Sequence, residues 1–468
     1  MSLSAALEIG KAGLRVYQVA TEVTSENIAN VNTQGYSRQR VILETAPPTT
    51  HNGFPLGSGV KIATVERYYD SLLQKQLVNA ETTSGYDTRR SEVLQQVEPI
   101  FNEIAQDGLG AAISDFFSAW QDLSLNPTGN AERKAVLSSA QILTDQFHYI
   151  ARTLTDAMVT QNEAVEPLAD DVNGILTNIA QLNGQIKITE LVSGNANEMR
   201  DQRDDLIRQL SEHLKIDFTE NSDGTTDVSY TDSTGTYALI SGSTAGSLSV
   251  ATSGVLADGT TPRTVVQVTP AGGGAATTIN PTTGTLGAVM VMRDTTLPDY
   301  LTRVDDLAAG IVAEVNSLHT AGFDLNGTAG VDFFTASGTT ATSIGVAISD
   351  PNLLAASQSA TSTGDNSNAV AIGGLVNATT MSGGTTTFSN YYNGLVAQIG
   401  LDVEAAKTTV SQDEAFMKQL TTLRDSSSGV SLDEELVDLI KYQRSYQASA
   451  KLITTAGDMM DVLINMLR

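Results

Sequence analysis

The chain has 468 residues, is 41% hydrophobic, and sets 53 acidic side chains against 27 Lys and Arg, a formal net charge of −26. That length allows about two to four domains with real cores, while the acidity argues against nucleic acid, whose phosphates demand a basic surface, and against insertion into or docking on anionic membranes. There is no cysteine, which removes disulfides, thiol catalysis and thiolate metal sites, and no apolar run approaches the ~20 residues of a membrane span.

The first predicted element is a long helix. Leu3, Leu7, Gly10, Leu14, Tyr17, Thr21, Thr24, Ile28 and Val31 recur at three- and four-residue steps, with Glu8, Lys11, Arg15, Gln18, Glu22 and Glu26 mostly on other faces, which gives a narrow, heptad-like seam. The opening Met1-Ser2-Leu3-Ser4-Ala5 has neither a basic nor an apolar leader segment, so if the protein is exported it is expected not to use a cleaved secretory signal of the usual kind. Asn and Gly suit helix C-caps and positive φ, so the helix is expected to stop in an ordered turn at Asn32 to Gly35. From Tyr36 to about Ala63 the sequence is extended and turn-rich, broken by Thr45-Ala46-Pro47-Pro48 and Phe54-Pro55-Leu56-Gly57-Ser58-Gly59.

Helical patterning dominates from about Glu66 to Leu214. Phe116, Phe117, Trp120, Leu123 and then Val136, Leu137, Ala140, Leu143, Phe147 have core-facing spacing around the stop Leu125-Asn126-Pro127, which predicts a helical bundle with the lone tryptophan inside. Lys215 to about Val291 is rich in Thr, Ser and Gly, with alternating runs such as Thr226-Asp227-Val228-Ser229-Tyr230 and Thr264-Val265-Val266-Gln267-Val268, and reads as a small inserted antiparallel β domain. A helix returns at Tyr300 to His319, residues 335 to 390 carry short ordered pieces, and a further helix from about Leu395 to Leu423 precedes a loop from Asp425 to Gly429. The last helix places Leu436, Leu439, Gln443, Tyr446, Ala450, Ile453, Gly457, Met460, Ile464 and Leu467 at heptad-like spacing.

The expected fold class is therefore mainly α with an inserted all-β domain. The N- and C-terminal helices pair as a coiled coil, the helical bundle comes next, and the small antiparallel β domain is outermost. One narrow seam offsets only about half of the backbone entropy of a long helix, so both ends are expected to be loose in the monomer and to order on assembly. The alternative is two ordinary helices docked on one globular core.

No constellation for chemistry emerges. His51, His148, His213 and His319 are isolated and lack metal-ligand spacing, and no metal or cofactor is expected. Gly322-Phe323-Asp324-Leu325-Asn326-Gly327 lacks the closing Glu of a calcium loop and is expected to be a tight turn. Asp204-Asp205 and Asp433-Glu434-Glu435 fall near helix starts, where carboxylates favour the helix dipole. There is no Walker A sequence, dinucleotide fingerprint or nucleophile elbow, so no enzyme activity is expected.

The segment Asn27-Ile28-Ala29-Asn30-Val31-Asn32-Thr33-Gln34-Gly35-Tyr36-Ser37-Arg38 closely resembles the N-terminal signature of bacterial flagellar axial proteins, and Leu439 to Lys451, with Gln443 and Arg444, resembles their C-terminal one. Within that group the chain resembles the hook-associated protein 1 (FlgK-type) family. The pieces that carry this are Asn32 to Arg38, Trp120-Gln121-Asp122-Leu123-Ser124 with Asn126-Pro127 and Arg133, Asp201-Gln202-Arg203-Asp204-Asp205-Leu206, and Gly429-Val430-Ser431-Leu432-Asp433-Glu434-Glu435. Hook proteins would lack the helical region from 66 to 214, and flagellins the Asn-Thr-Gln-Gly-Tyr segment.

The resemblance implies an extracellular structural adaptor of the flagellum. It would be exported unfolded by the type III apparatus and assembled with copies of itself into a helical ring at the hook–filament junction, with paired terminal helices as the inner tube. It also implies hook protein and a second hook-associated junction protein as partners, and an export chaperone on the C-terminal helix at Leu432 to Leu467. Assembly is expected to fall to the seam residues and the Asn27 to Arg38 turn. Residues 1–35 with 430–468 would form the assembly unit, 36–214 with 292–429 the bundle, and 215–291 the β insert, which at about 77 residues leaves room for one small domain where relatives often carry more. The alternatives are a hook or rod axial subunit, and a secreted protein whose β insert binds glycans.

Overall fold

The computed structural model describes residues 3–33, 35–51, 54–101 and 108–466. Gln34 of the signature turn and Leu467 of the expected seam lie outside the described residues. In chain order the elements begin with α1 (Leu3–Ala29), β1 (Gln39–Thr45), β2 (Thr49–His51), β3 (Phe54–Leu56), β4 (Val60–Arg67), α2 (Ser71–Val97), α3 (Leu109–Leu125), α4 (Asn130–Ser193) and α5 (Asn197–His213). Strands β5 (Ile216–Glu220), β6 (Thr226–Asp232), β7 (Gly235–Ser241), β8 (Thr244–Ala245), β9 (Ser247–Val255), β10 (Pro262–Thr269) and β11 (Thr277–Ile279) follow. The chain closes with α6 (Gly284–Val291), α7 (Leu297–Ala321), α8 (Ser367–Gly374), α9 (Phe388–Ser428) and α10 (Leu432–Met466).

The 64-residue α4 is the spine of the molecule, about 96 Å long at ~1.5 Å per residue. Its first half contributes Val136, Ala140, Leu143, Phe147, Leu154 and Met158 to a core shared with α3, α7, α8 and α9. Its second half contributes Val165, Ala169, Val172, Leu176 and Ile179 to a separate core with α5, α6 and the inserted strands. Pro167, which cannot donate a helical hydrogen bond, sits where α4 passes from one core to the other.

In the first core Trp120 is fully buried, with Phe333 at 5.6 Å and the His319 ring at 6.0 Å between centroids. His319 holds the irregular segment after α7: Nδ1 lies 2.5 Å from Val331 O, and Nε2 accepts from Ala355 N at 2.9 Å. Burial lowers its pKa from 6.5 to about 4, so the ring is neutral. Buried Arg133 donates to the carbonyls of Pro127, Pro351 and Leu354. The Gly322 to Gly327 segment is an Asx turn in which Asp324 Oδ1 accepts from Asn326 N and Thr328 N, with Gly327 at φ +73°.

The inserted strands form two antiparallel sheets, ordered β5-β6-β7-β8 and β11-β10-β9. On β6, Thr226, Val228 and Tyr230 alternate inward, as a strand with one buried face requires. Three asparagines on α4 dock these sheets by imitating a strand's own amide. Asn162 bonds Pro262 O and Thr264 N, Asn173 bonds both polar groups of Leu248, and Asn183 bonds both polar groups of Thr226. Their spacing of ten and eleven residues keeps them on one helix face.

Several stretches differ from the sequence expectation. Residues 284–291, counted with the β segment, are helix α6, because Leu286, Ala288, Val289 and Met290 are buried between other helices. A π-helical turn, Met292–Thr296, joins α6 to α7 and carries Arg293 inward to Asn162 Oδ1 and Thr264 O. The extended stretch after the first helix pairs as a β1–β4 hairpin. The expected loop at Asp425 to Gly429 is helical to Ser428, with Gly429 N bonding Asp425 O at 2.9 Å.

Candidate assembly interface

The two ends of the chain meet at the signature turn. α1 stops at Ala29, Thr33 N bonds Asn30 O, and Gly35 takes φ +86°, which a side chain would strain. Asn30 binds Glu26 O and receives the Thr33 hydroxyl, while Asn32 is exposed at the tip. Asn27, fully inside, is the centre of a knot: its Nδ2 donates to Gln39 O at 2.9 Å and Glu435 Oε2 at 3.0 Å, and its Oδ1 accepts from Tyr36 OH and Gln39 N.

The residues that follow fasten this knot to three other helices. Ser37 donates from both N and Oγ to Asp201 on α5 at 2.8 Å, and Asp201 also takes Arg67 at 2.6 Å. Arg38 pairs with Glu434 at 2.6 Å and Glu435 at 2.5 Å at the start of α10. Arg424, near the end of α9, donates to Gly35 O at 2.6 Å, and Arg38 N bonds Ser428 O. The acids of α10 therefore do more than favour a helix start, since they ion-pair the signature arginine. Glu26 shares a hydrogen bond with Glu198 of α5; that bond, burial and the Glu198 charge raise its pKa to about 7. Burial also pushes the Tyr36 hydroxyl up.

From this knot α1 and α10 run antiparallel. A Cβ placed on Gly10 would lie 2.7 Å from Ile453 Cγ1, and one on Gly13 would lie 2.7 Å from Ser449 Oγ, so a side chain at either position would force Ile453 or Ser449 to shift. Between these glycines and the knot, Tyr17 and Tyr442 stack at 6.5 Å. The other side of α1 meets β1 and β4, and between these neighbours Val16, Ala20, Val23, Thr24 and Asn27 are buried.

Of the residues singled out from sequence, Leu3, Leu7, Leu14, Tyr17, Ile28 and Val31 are half-buried on α1 and the turn, as are Leu439, Ile453 and Met460 on α10. Leu436, Tyr446 and Ile464 face outward at 47%, 42% and 53% exposure. Gln443 and Arg444 are exposed on α10, away from the knot. The inner line of α10 instead includes Glu435, Tyr442, Ser449 and Ala456, seven residues apart. Periodicity of apolar residues missed this line because Ser, Ala and Glu occupy it; the signal was the Gly10/Gly13 pair facing it. Leu436, Val437, Ile440, Met459, Val462 and Leu463 are exposed, an apolar surface that nothing covers among the described residues. Among the described residues no cluster of three or more His, Asp or Glu could hold a metal ion, and no helix is long and apolar enough to cross a membrane.

Three family models match the chain: the flagellar hook-associated protein FlgK helical domain at residues 94–334, the flagella basal body rod protein at 7–36, and the flagellar basal body rod FlgEFG protein C-terminal at 424–466. The last two segments are the ones that Arg424–Gly35 and Asn27–Glu435 tie together. The flagellar hook-associated protein 1 of Bacillus subtilis is 28% identical over 98% of this chain and 97% of its own length. Those of Escherichia coli and Salmonella typhimurium are 27% and 28% identical over 99% of this chain and all of theirs. In fold, the chain is similar to the flagellar hook junction protein FlgK from Burkholderia pseudomallei, with TM-score 0.66 and 16% identity over 75% of this chain and all of that one.

Proposed function

Because this chain belongs to the FlgK family of flagellar hook-associated proteins, we propose that its paired terminal helices and the Asn27 to Arg38 knot are the parts through which it assembles. The protein is a structural component of the extracellular bacterial flagellum, at the junction of hook and filament. The observation that carries the assembly reading is α10: it spends its inner line on α1 and leaves Leu436, Val437, Ile440, Val462 and Leu463 without cover. Copies of the chain, stacked around a common axis, would supply that cover and order the ends.

The finer partners follow from the same surface. Hook subunits would lie below the ring and a second hook-associated junction protein above it, both continuing the helical inner layer. Before assembly, the apolar side of α10 from Leu432 onward would be held by an export chaperone. The bundle formed by 36–214 with 292–429, and the insert at 215–291, would sit outside this layer as a mechanical buffer, with no catalytic role. Deleting the gene tests this directly. Bare hooks with unpolymerised flagellin shed into the medium are expected; absent hooks would move the protein to the rod or hook, and normal filaments would overturn the role.

A further inference from the structure

The assembly reading leaves open what fixes one copy's position along the next, and the charges on the helix pair bear on that. Since Gly13 faces Ser449 and Asn27 faces Glu435, level positions on α1 and α10 have residue numbers that sum to about 462. The exposed stripe of α1 is Glu8, Lys11, Arg15, Gln18 and Glu22, at helical steps of three and four. The exposed stripe of α10 is Glu434, Lys441, Arg444, Lys451, Asp458 and Asp461. Each runs acidic, basic, acidic, and the basic stretches lie level: no carboxylate occurs between Glu8 and Glu22 or between Asp438 and Asp458. In a chain of net charge −26 this is a local reversal of sign. Lys11, Arg15, Arg444 and Lys451 have no ion-pair partner among the described residues.

Side by side without axial offset, two copies would set Lys11 level with Lys451 and Arg15 near Arg444, like charge against like. We propose that the pattern is a register device for self-assembly: the α1 stripe of one copy lies along the α10 stripe of a second, displaced by about ten residues, roughly 15 Å at ~1.5 Å per residue, toward the end where α1 begins. Lys11 then meets Asp461, Arg15 meets Asp458 and Glu22 meets Lys451. Displacement the other way would use Glu434 and Asp438, which Arg38 of their own chain already engages. The apolar surface of α10 supplies attraction at any offset, while the charges admit one and penalise the in-register alternative.

The inference rests on the assembly reading, and the test separates the two. Full-length variants are expressed in cells lacking the gene, and the amount built into isolated hook–filament junctions is measured. Arg15→Glu and Asp458→Lys should each lower incorporation about fivefold or more, and the two together should restore it. Within one chain these residues lie about eleven positions apart along the pair, roughly 16 Å, so rescue acts only between copies. Single variants that incorporate normally, or a double variant no better than the singles, would overturn the register device. Ile440→Asp is the control on the apolar surface: its loss of incorporation keeps the assembly reading whatever the charges do, and its normal incorporation would overturn that reading as well.

Discussion

α4 and α10 are both long amphipathic helices, yet they stand in opposite situations. Along α4 most apolar positions from Val136 to Ile179 are buried in two cores, both built by the same chain. Along α10 only Glu435 and Ala456 are buried, and its leucines, valines and isoleucines largely face out. Apolar periodicity marks a helix that needs partners; it does not say whether the partner is in the chain. In α4 the partner is the fold itself, so its residues set monomer stability. For the exposed side of α10 the proposed partner is another molecule, so its residues should matter mainly to assembly.

The sharpest way to separate the two regions is to damage each and measure the monomer. Trp120→Ala empties the centre of the first core and should cost roughly 3–5 kcal/mol in chemical denaturation. Acidification should come next. His319 is neutral in the fold, with its pKa lowered from 6.5 to about 4, so over that interval the unfolded chain binds a proton that the folded chain does not. Stability is full above pH 6.5 and should fall by about 3 kcal/mol as pH drops to 4. His319→Asn should flatten that slope, and an unchanged slope would remove the imidazole from the account.

Asn27→Ala attacks the join between the regions. It takes the partner from Glu435 Oε2 and from the Gln39 backbone groups, with Arg38 still engaging the other Glu435 oxygen, and should cost roughly 1–3 kcal/mol, seen as faster proteolysis of α10 with the bundle's melting little changed. Val437→Asp and Leu463→Asp should shift monomer stability by no more than about 0.5 kcal/mol while abolishing incorporation into junctions; a large loss of monomer stability would break the comparison. The smallest effect concerns Glu26, raised to about 7 by its bond to Glu198. As pH rises through 7 the shared proton leaves and two carboxylates face each other, so α1 should loosen from α5 at alkaline pH, and Glu198→Gln should remove that dependence in hydrogen exchange.

Much of this was legible in the sequence because it is written as periodicity and punctuation. Both terminal helices, the bundle around Trp120 and the β character of Ile216 to Ile279 follow from apolar spacing and from Thr/Gly-rich composition. What escaped was written in polar or small residues. Asn162, Asn173 and Asn183 look like surface positions of a helix, yet they bond backbone groups of β10, β9 and β6 as a strand partner would. Asp425 to Ser428 has loop composition, yet it stays helical because Arg424 and Ser428 are held by the turn at Gly35 and Arg38. The inner line of α10 was hidden for the same reason, since Ser449 and Ala456 carry little apolar signal and owe their position to Gly10 and Gly13 opposite. Asp201 and Glu435 stood out as parts of family-like strings, and only the fold gives their task, which is to receive Ser37, Arg67, Asn27 and Arg38.

The central claim is that α10 is completed by other copies of the chain rather than by its own. Hydrogen exchange measured on the purified monomer and on isolated hook–filament junctions tests it most directly. The account predicts that α4 amides are protected to the same high level in both, while α10 exchanges rapidly in the monomer and becomes protected in the junction. Protection of α10 in the monomer equal to that of α4, with no further gain on assembly, would contradict it.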